Sequence, residues 1–361
     1  MEALSARCEL NVDGLLPMFV LISISSEVFG RMMSMRVMLR RLGIGTSASR
    51  EVSDALRLVR DSFGGKLVLI DWTRGEVLAA KSILGASGLA VHERTIVASS
   101  WIEPEVYILK NGERIGAMTH RWLNYVHSAD LTSPHSMLVA SAGSDLIAEL
   151  SFDGEVLWEW FGPEHGYGIR PDGLKAFFDR DADYRAMGTS TAEQAMHVSS
   201  AILLTNNTVL ATLFHQGVLI SIDRESGTPL IVLDGLSRPH GVHRRNGGFL
   251  LSDTLGHRII LLNHDLQVCR EIPFGSQWLQ DTIVTSKGTY LTLENVHINQ
   301  LPEPDLRNRI TEIDEQGRQL RAVDIGVDFR LFTAREVDDA HADALVRAWG
   351  KLGSFSTWRW E

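Results

Sequence analysis

Four residues of this chain are of types that do chemistry when brought together: His127, His197, His240 and Asp281. Each opens a β-type apolar run: VHSADL (126–131), MHVSSAILL (196–204), PHGVHR (239–244) and QDTIVT (280–285). Imidazoles and a carboxylate gathered round one point can bind a divalent metal, hold an anion, or act as general base and acid. A single histidine at the start of a strand more often hydrogen-bonds loop backbone or water. Its recurrence in three consecutive segments is what singles these residues out.

The elements that would position them repeat. Short turns between apolar β-type runs occur at Arg74-Gly75, Asn111-Gly112, Asp153-Gly154, Ser226-Gly227, His264-Asp265 and Gln316-Gly317, each a hairpin signal. Their spacings are 37, 42, 73, 38 and 52 residues, a unit of about 40 with extra chain in the third and fifth intervals. Strand upon strand at that period predicts an all-β protein, a six-bladed β-propeller. Blades two to six read as four strands each, A to D from the axis outward. For the closing blade KLVLIDWTRGEVLAA (66–80) supplies a C–D hairpin, and the aromatic, alternating FSTWRWE (355–361) is expected to complete it from the C-terminus.

The expected organisation is an N-terminal extension over 1–64, with an amphipathic helix at about 49–63, and a propeller over 65–361 carrying an insertion at 161–195. The run LLPMFVLISI (15–24) is too short to span a bilayer and follows Glu2, Glu9 and Asp13, against a signal peptide. Met32, Met33, Met35 and Met38 offer internal starts, which would leave the first thirty residues outside the native protein. A second helix is expected after Thr333 and Glu336, which stand at capping-box spacing, with Gly350 as its stop.

Both long insertions, 161–195 and HINQLPEPDLRN (297–308), fall at the end of the axis that carries the D–A connections and B–C turns. Function is expected at this elaborated end, with 161–195 as a partial lid, helical after Pro171. The catalytic candidates are His127, His197 and His240. The substrate-binding candidates are Trp101, His165, Tyr167, His215, Arg238, His257, Arg258, Asp281 and Asn295. A divalent metal, if one is bound, would lie among His127, His197, His240 and Asp281. His135 and His243 are assigned to the opposite face.

Composition adds exclusions. A net charge of −10, with no basic stripe interleaved with aromatics, argues against a nucleic-acid surface. Two distant cysteines, Cys8 and Cys269, form no disulfide framework, so cytoplasmic residence with no membrane association is the expectation. Phosphate-binding Gly loops, nicotinamide fingerprints, nucleophile elbows and HExxH helices do not occur.

HVSSAILLTNNTVLATLFHQGVLISIDRESG (197–227) and GEVLWEWFGPEH (154–165) resemble blades of the arylsulfotransferase-like propellers, and RPHGVHRRNGGFLLSDTLGHRIILLN (238–263) resembles the NHL-type blade. The likeness spans about 126–265 and is one of blades. The arylsulfotransferase resemblance implies that His127, His197 and His240 take and hold a sulfuryl group, with Arg238 or Arg258 as anion holders. Two classes of function stay open: a small-molecule enzyme of the group-transfer, hydrolase or lyase kind at the channel mouth, and a propeller that binds a ligand or protein without chemistry.

Overall fold

Segments such as KLVLID and SMLVAS are apolar or small at almost every position, and are stable as strands only where both faces are covered. The structure, a computed structural model, describes residues 16–41, 62–187, 190–275, 277–297, 307–350 and 359–360. It covers those strands by stacking six sheets round an axis. Lys66–Asp71 and Ser136–Ser141 lie between neighbouring sheets and are buried almost throughout, whereas the outermost strands Glu113–Thr119 and Val268–Pro273 are largely exposed.

Blades 2 to 5 run in chain order from the axis outward. Their strands A to D are Ala86–His92, Thr95–Ser100, Glu105–Lys110 and Glu113–Thr119; Val126–Ser133, Ser136–Ser141, Leu146–Ser151 and Val156–Phe161; Val198–Thr205, Thr208–Leu213, Val218–Asp223 and Pro229–Leu233; and Pro239–Arg245, Gly248–Asp253, Arg258–Leu262 and Val268–Pro273. Blade 6 is Trp278–Val284, Tyr290–Asn295, Arg307–Ile313 and Gln319–Gly326. All six expected hairpin turns are C–D turns.

Blade 1 closes the ring with strands from both ends of the chain, but not the expected ones. Its strand A is Arg330–Val337, its strand B is Phe19–Ser26, and Lys66–Asp71 and Glu76–Ser82 are C and D. The apolar run read as lying outside the fold is therefore a fully buried inner strand, and a start at Met32 would remove it. The boundary at residue 64 fails for the same reason. Helix α1, Phe29–Arg41, follows, with Phe29, Met32 and Met33 packed against Phe63 and Val296. Of FSTWRWE, Arg359–Trp360 pairs with the outer strand of blade 6 instead of closing blade 1.

Two helix expectations also change. Thr333 and Glu336 lie within strand A of blade 1. The helix α2, Asp339–Trp349, is capped instead by Asp338, whose carboxylate accepts from His341 N at 2.7 Å, and Gly350 ends it at positive φ, at the expected stop. Among its described residues the insertion shows short 3-10 turns and an Ile169–Lys175 bridge, and the segment after Pro171 is not an α-helix. It is fastened to the linker before blade 3: Tyr184 N donates to Arg121 O, Trp122 Nε1 to Arg180 O at 2.8 Å and Asn124 Nδ2 to Met187 O at 3.0 Å. Tyr184 is buried in the blade 2–3 core. The helix expected over 49–63, apart from its last two residues, and most of 297–308 lie outside the described residues.

Candidate functional site

Strand A slips register once near its start in every blade, at Phe332, at Ser87–Gly88, at His127, at Ser199, at His240–Gly241 and at Gln280 for blades 1 to 6. A bulge re-aims a side chain, and six of them at one depth build a ring on the axis. Gly85, Tyr125, His197 and Arg238 stand two residues ahead of the slip in blades 2 to 5, all with positive φ. His197 is thus equivalent to Tyr125 and Arg238, one tier above His127 and His240. Asp281 follows the slip and lies one tier below them. The expectation that these four residues are equivalent is corrected accordingly.

The tiers still bring the imidazoles together. The ring of His127 lies 4.9 Å from that of His197 and 5.6 Å from that of His240, centroid to centroid. All three are nearly inaccessible, with exposures of 3–5 %. Burial lowers the pKa of each: His127 falls to about 4, and His197 and His240 fall well below the usual imidazole value, with neighbouring rings and the Arg330 or Arg238 guanidinium adding to the effect. At neutral pH they are uncharged.

Their tautomers are fixed by what Nδ1 touches. His127 Nδ1 donates to Ser199 O at 2.9 Å, and His197 Nδ1 donates to Gln194 Oε1. His240 Nδ1 donates to Arg238 O at 3.1 Å and to Thr254 Oγ1 at 2.8 Å, whose own hydrogen goes to Leu279 O. In each ring Nε2 is left as a lone pair with no partner among the described residues. The segment that delivers His197 is held by Asp145, whose buried carboxylate accepts from the backbone N–H groups of Ala195, Met196 and His197 at 2.6, 2.8 and 3.1 Å. Burial pushes Asp145 up to about 6 against those three bonds.

Around the imidazoles stand aromatic rings and two arginines. Phe332 is 4.7 Å from His127, Phe214 is 4.8 Å from His197 and 5.3 Å from His240, and Trp278 is 5.3 Å from His240. Arg238 lies over Phe214 and donates from Nη1 to His215 Nδ1 at 2.9 Å, while His215 Nε2 donates to Thr191 O. Arg330 lies over Phe29, its Nε is buried with no hydrogen-bond partner, and it makes no ion pair with any described carboxylate. Trp101 joins the rim through Phe63 and Tyr125.

Other candidates lie elsewhere. His165 stacks on Trp160 at 5.0 Å and Tyr167 packs beside the same ring, between blades 3 and 4. Arg258 is taken by Asp253 at 2.8 Å and Glu271 at 3.0 Å. Asn295 exchanges two hydrogen bonds with the backbone of Leu331, pinning strand A of the closing blade. His257 lies in the blade 5 B–C turn with its Nδ1 buried and unpartnered, and makes no ring contact with the axial cluster.

Asp281 is paired one tier below. It accepts from His243 Nε2 at 2.6 Å and from the Thr333 hydroxyl, which in turn accepts from Arg335 Nη1 at 3.0 Å. His243 and Arg335 hold its carboxyl below the usual range despite burial. The metal set that included Asp281 is not assembled, and no group of three His, Cys, Asp or Glu among the described residues is arranged to hold a metal ion.

Sequence reasoning missed Arg330, Phe332, Thr333 and Arg335 because the strand carrying them was read as a helix cap. It missed His243 because its position along strand A was taken for a turn on the far face.

The chain is a six-bladed β-propeller with an axial imidazole cluster. No protein-family model matches its sequence, and no curated protein sequence does. Among solved structures it resembles a protein of unknown function from Bacteroides caccae, at 13 % identity over 90 % of this chain and 100 % of that one with a TM-score of 0.58. It also resembles a chain of the nidogen/laminin complex, at 14 % identity over 75 % and 94 % with a TM-score of 0.52. Likenesses at this level of identity show the fold alone.

Proposed function

We propose that the protein is a small-molecule enzyme whose axial imidazoles act through Nε2 on an anionic substrate, in group transfer or hydrolysis. The observation that carries this reading is the set of three neutral histidines, each with Nδ1 anchored and Nε2 unengaged, beside an arginine that lacks a carboxylate partner. A partly buried guanidinium without a counter-ion is costly, and an anion at Arg330 would offset that cost. It would also weaken the effect by which Arg330 depresses His127 and His240, so substrate binding would make the bases stronger. The imidazole then takes a proton or the transferred group, and the arginines stabilise the developing negative charge. The aromatic rim suits a substrate with an apolar or aromatic body. The blade resemblance to arylsulfotransferase-like propellers supports the same chemistry.

The test is a panel of aryl sulfates, aryl phosphates and lactones, read by thermal shift and by product release, on the parent and on His127→Gln and His240→Gln. Turnover by the parent that both variants lose supports the reading. Binding without turnover of any member would leave a ligand-binding propeller.

A further inference from the structure

The imidazoles His127 and His240 line an axial cavity of about 30 Å³, which continues past Ser128, Ser200 and Gly241 to Asp281, His243 and Arg335. That volume is enough to hold water. Polar side chains stand at both ends of the lining: the imidazoles of His127 and His240 above, and below them the hydrogen-bonded pair His243–Asp281 with Arg335. His243 and Asp130 reach solvent at the end of the axis opposite the elaborated face, with side-chain exposures of 14 % and 20 %. Gly241 keeps the lower part open, since a Cβ there would sit 1.9 Å from Asp281 Oδ1 and 2.8 Å from His243 Nε2.

We propose that this cavity is a proton route, in which water carries protons between Nε2 of His127 and His240 and the His243–Asp281 pair, and so to solvent at the opposite face. The route serves the imidazole chemistry proposed above, because a substrate seated on Arg330 and Arg238 would cover the other way out. An imidazole that has taken a proton releases one to the cavity water, that water releases one of its protons to the His243–Asp281 pair, and the pair yields it to bulk water at the opposite face. No other bond changes. The groups facing the path are Arg330 and His197 above, Arg335 and Asp281 beside it, and Asp130 with its partner Arg244 at the exit.

The experiment uses the whole chain with inorganic sulfate present, to occupy the arginine side. Imidazole ¹⁵N relaxation dispersion at acidic pH measures how fast His127 and His240 exchange between neutral and protonated forms. Ile202→Phe, which fills the lower cavity with an apolar ring, and His243→Gln, which removes the imidazole paired with Asp281, should each slow that exchange about tenfold or more, the worth of one lost water-mediated hydrogen bond. His165→Gln, between blades 3 and 4 and away from the axis, should leave it unchanged. Exchange unaffected by both lower variants, or slowed equally by His165→Gln, overturns the proposal. If Ile202→Phe does not fold, His243→Gln decides alone. A protein that turns over no substrate yet shows this pattern loses the catalytic reading and keeps the route.

Discussion

His127 and His197 place their rings 4.9 Å apart although they occupy different tiers of the propeller, His127 on the bulge of its strand and His197 two residues ahead of the equivalent bulge at Ser199. The contact bridges two blades and two depths, and His127 Nδ1 reaches across to Ser199 O to hold it. If these rings act as bases, His127→Gln and His240→Gln should cut turnover about 100-fold or more, the usual size of general acid–base contributions. Melting curves would show little change in stability. The opposite pattern, lost stability with unchanged activity per folded molecule, would make the ring structural.

Acid should unfold the protein through the same residues. His127 has a folded pKa of about 4 against an ordinary 6.5, and His197 and His240 are also depressed. The unfolded chain binds these protons first, so their contribution is complete above about pH 6.5 and is lost as pH falls towards 4, about 3 kcal/mol for His127 alone. Asp145, raised to about 6, works in the other sense and regains stability between about 6 and 4. Three depressed imidazoles outweigh it. Denaturant midpoints between pH 7 and 4.5 should fall, and less steeply in His127→Gln.

Arg330→Met should raise the pKa of His127 and His240 and change stability by no more than about 1 kcal/mol, since an unpaired charge is exchanged for an apolar chain of similar length. Anion affinity should drop at the same time. Imidazole NMR titration gives the first result and thermal-shift titration with an aryl sulfate the second.

Removing residues 1–31 takes away strand Phe19–Ser26, which pairs on both sides, and should abolish cooperative melting. Removing 351–361 takes away the two pairs of Arg359–Trp360 at an outer edge and should cost far less. Circular dichroism melts of the two truncations check the order.

Tyr184→Ala should destabilise the protein by about 3 kcal/mol, because the insertion is packed into the core of blades 2 and 3. A variant that melts with the parent would mean the segment rests on the surface as a loose cover.

The sequence by itself determined the blade number, the hairpin turns and the strands of blades 2 to 6, because each is local: a turn residue able to take positive φ between two β-type runs. It also picked out the three axial histidines. What only the tertiary structure decided was depth and partnership. The place of the one-residue bulge along strand A is invisible to spacing, yet measured from it His197 stands a tier up and Asp281 a tier down, and the carboxylate pairs with His243 instead of joining the imidazole ring. The closing blade was hidden for a related reason. Phe19–Ser26 and Arg330–Val337 are distant in sequence and pair only once the ring is complete, so neither run announces its partner, and Arg330, Phe332, Thr333 and Arg335 reach the axis only through that closure.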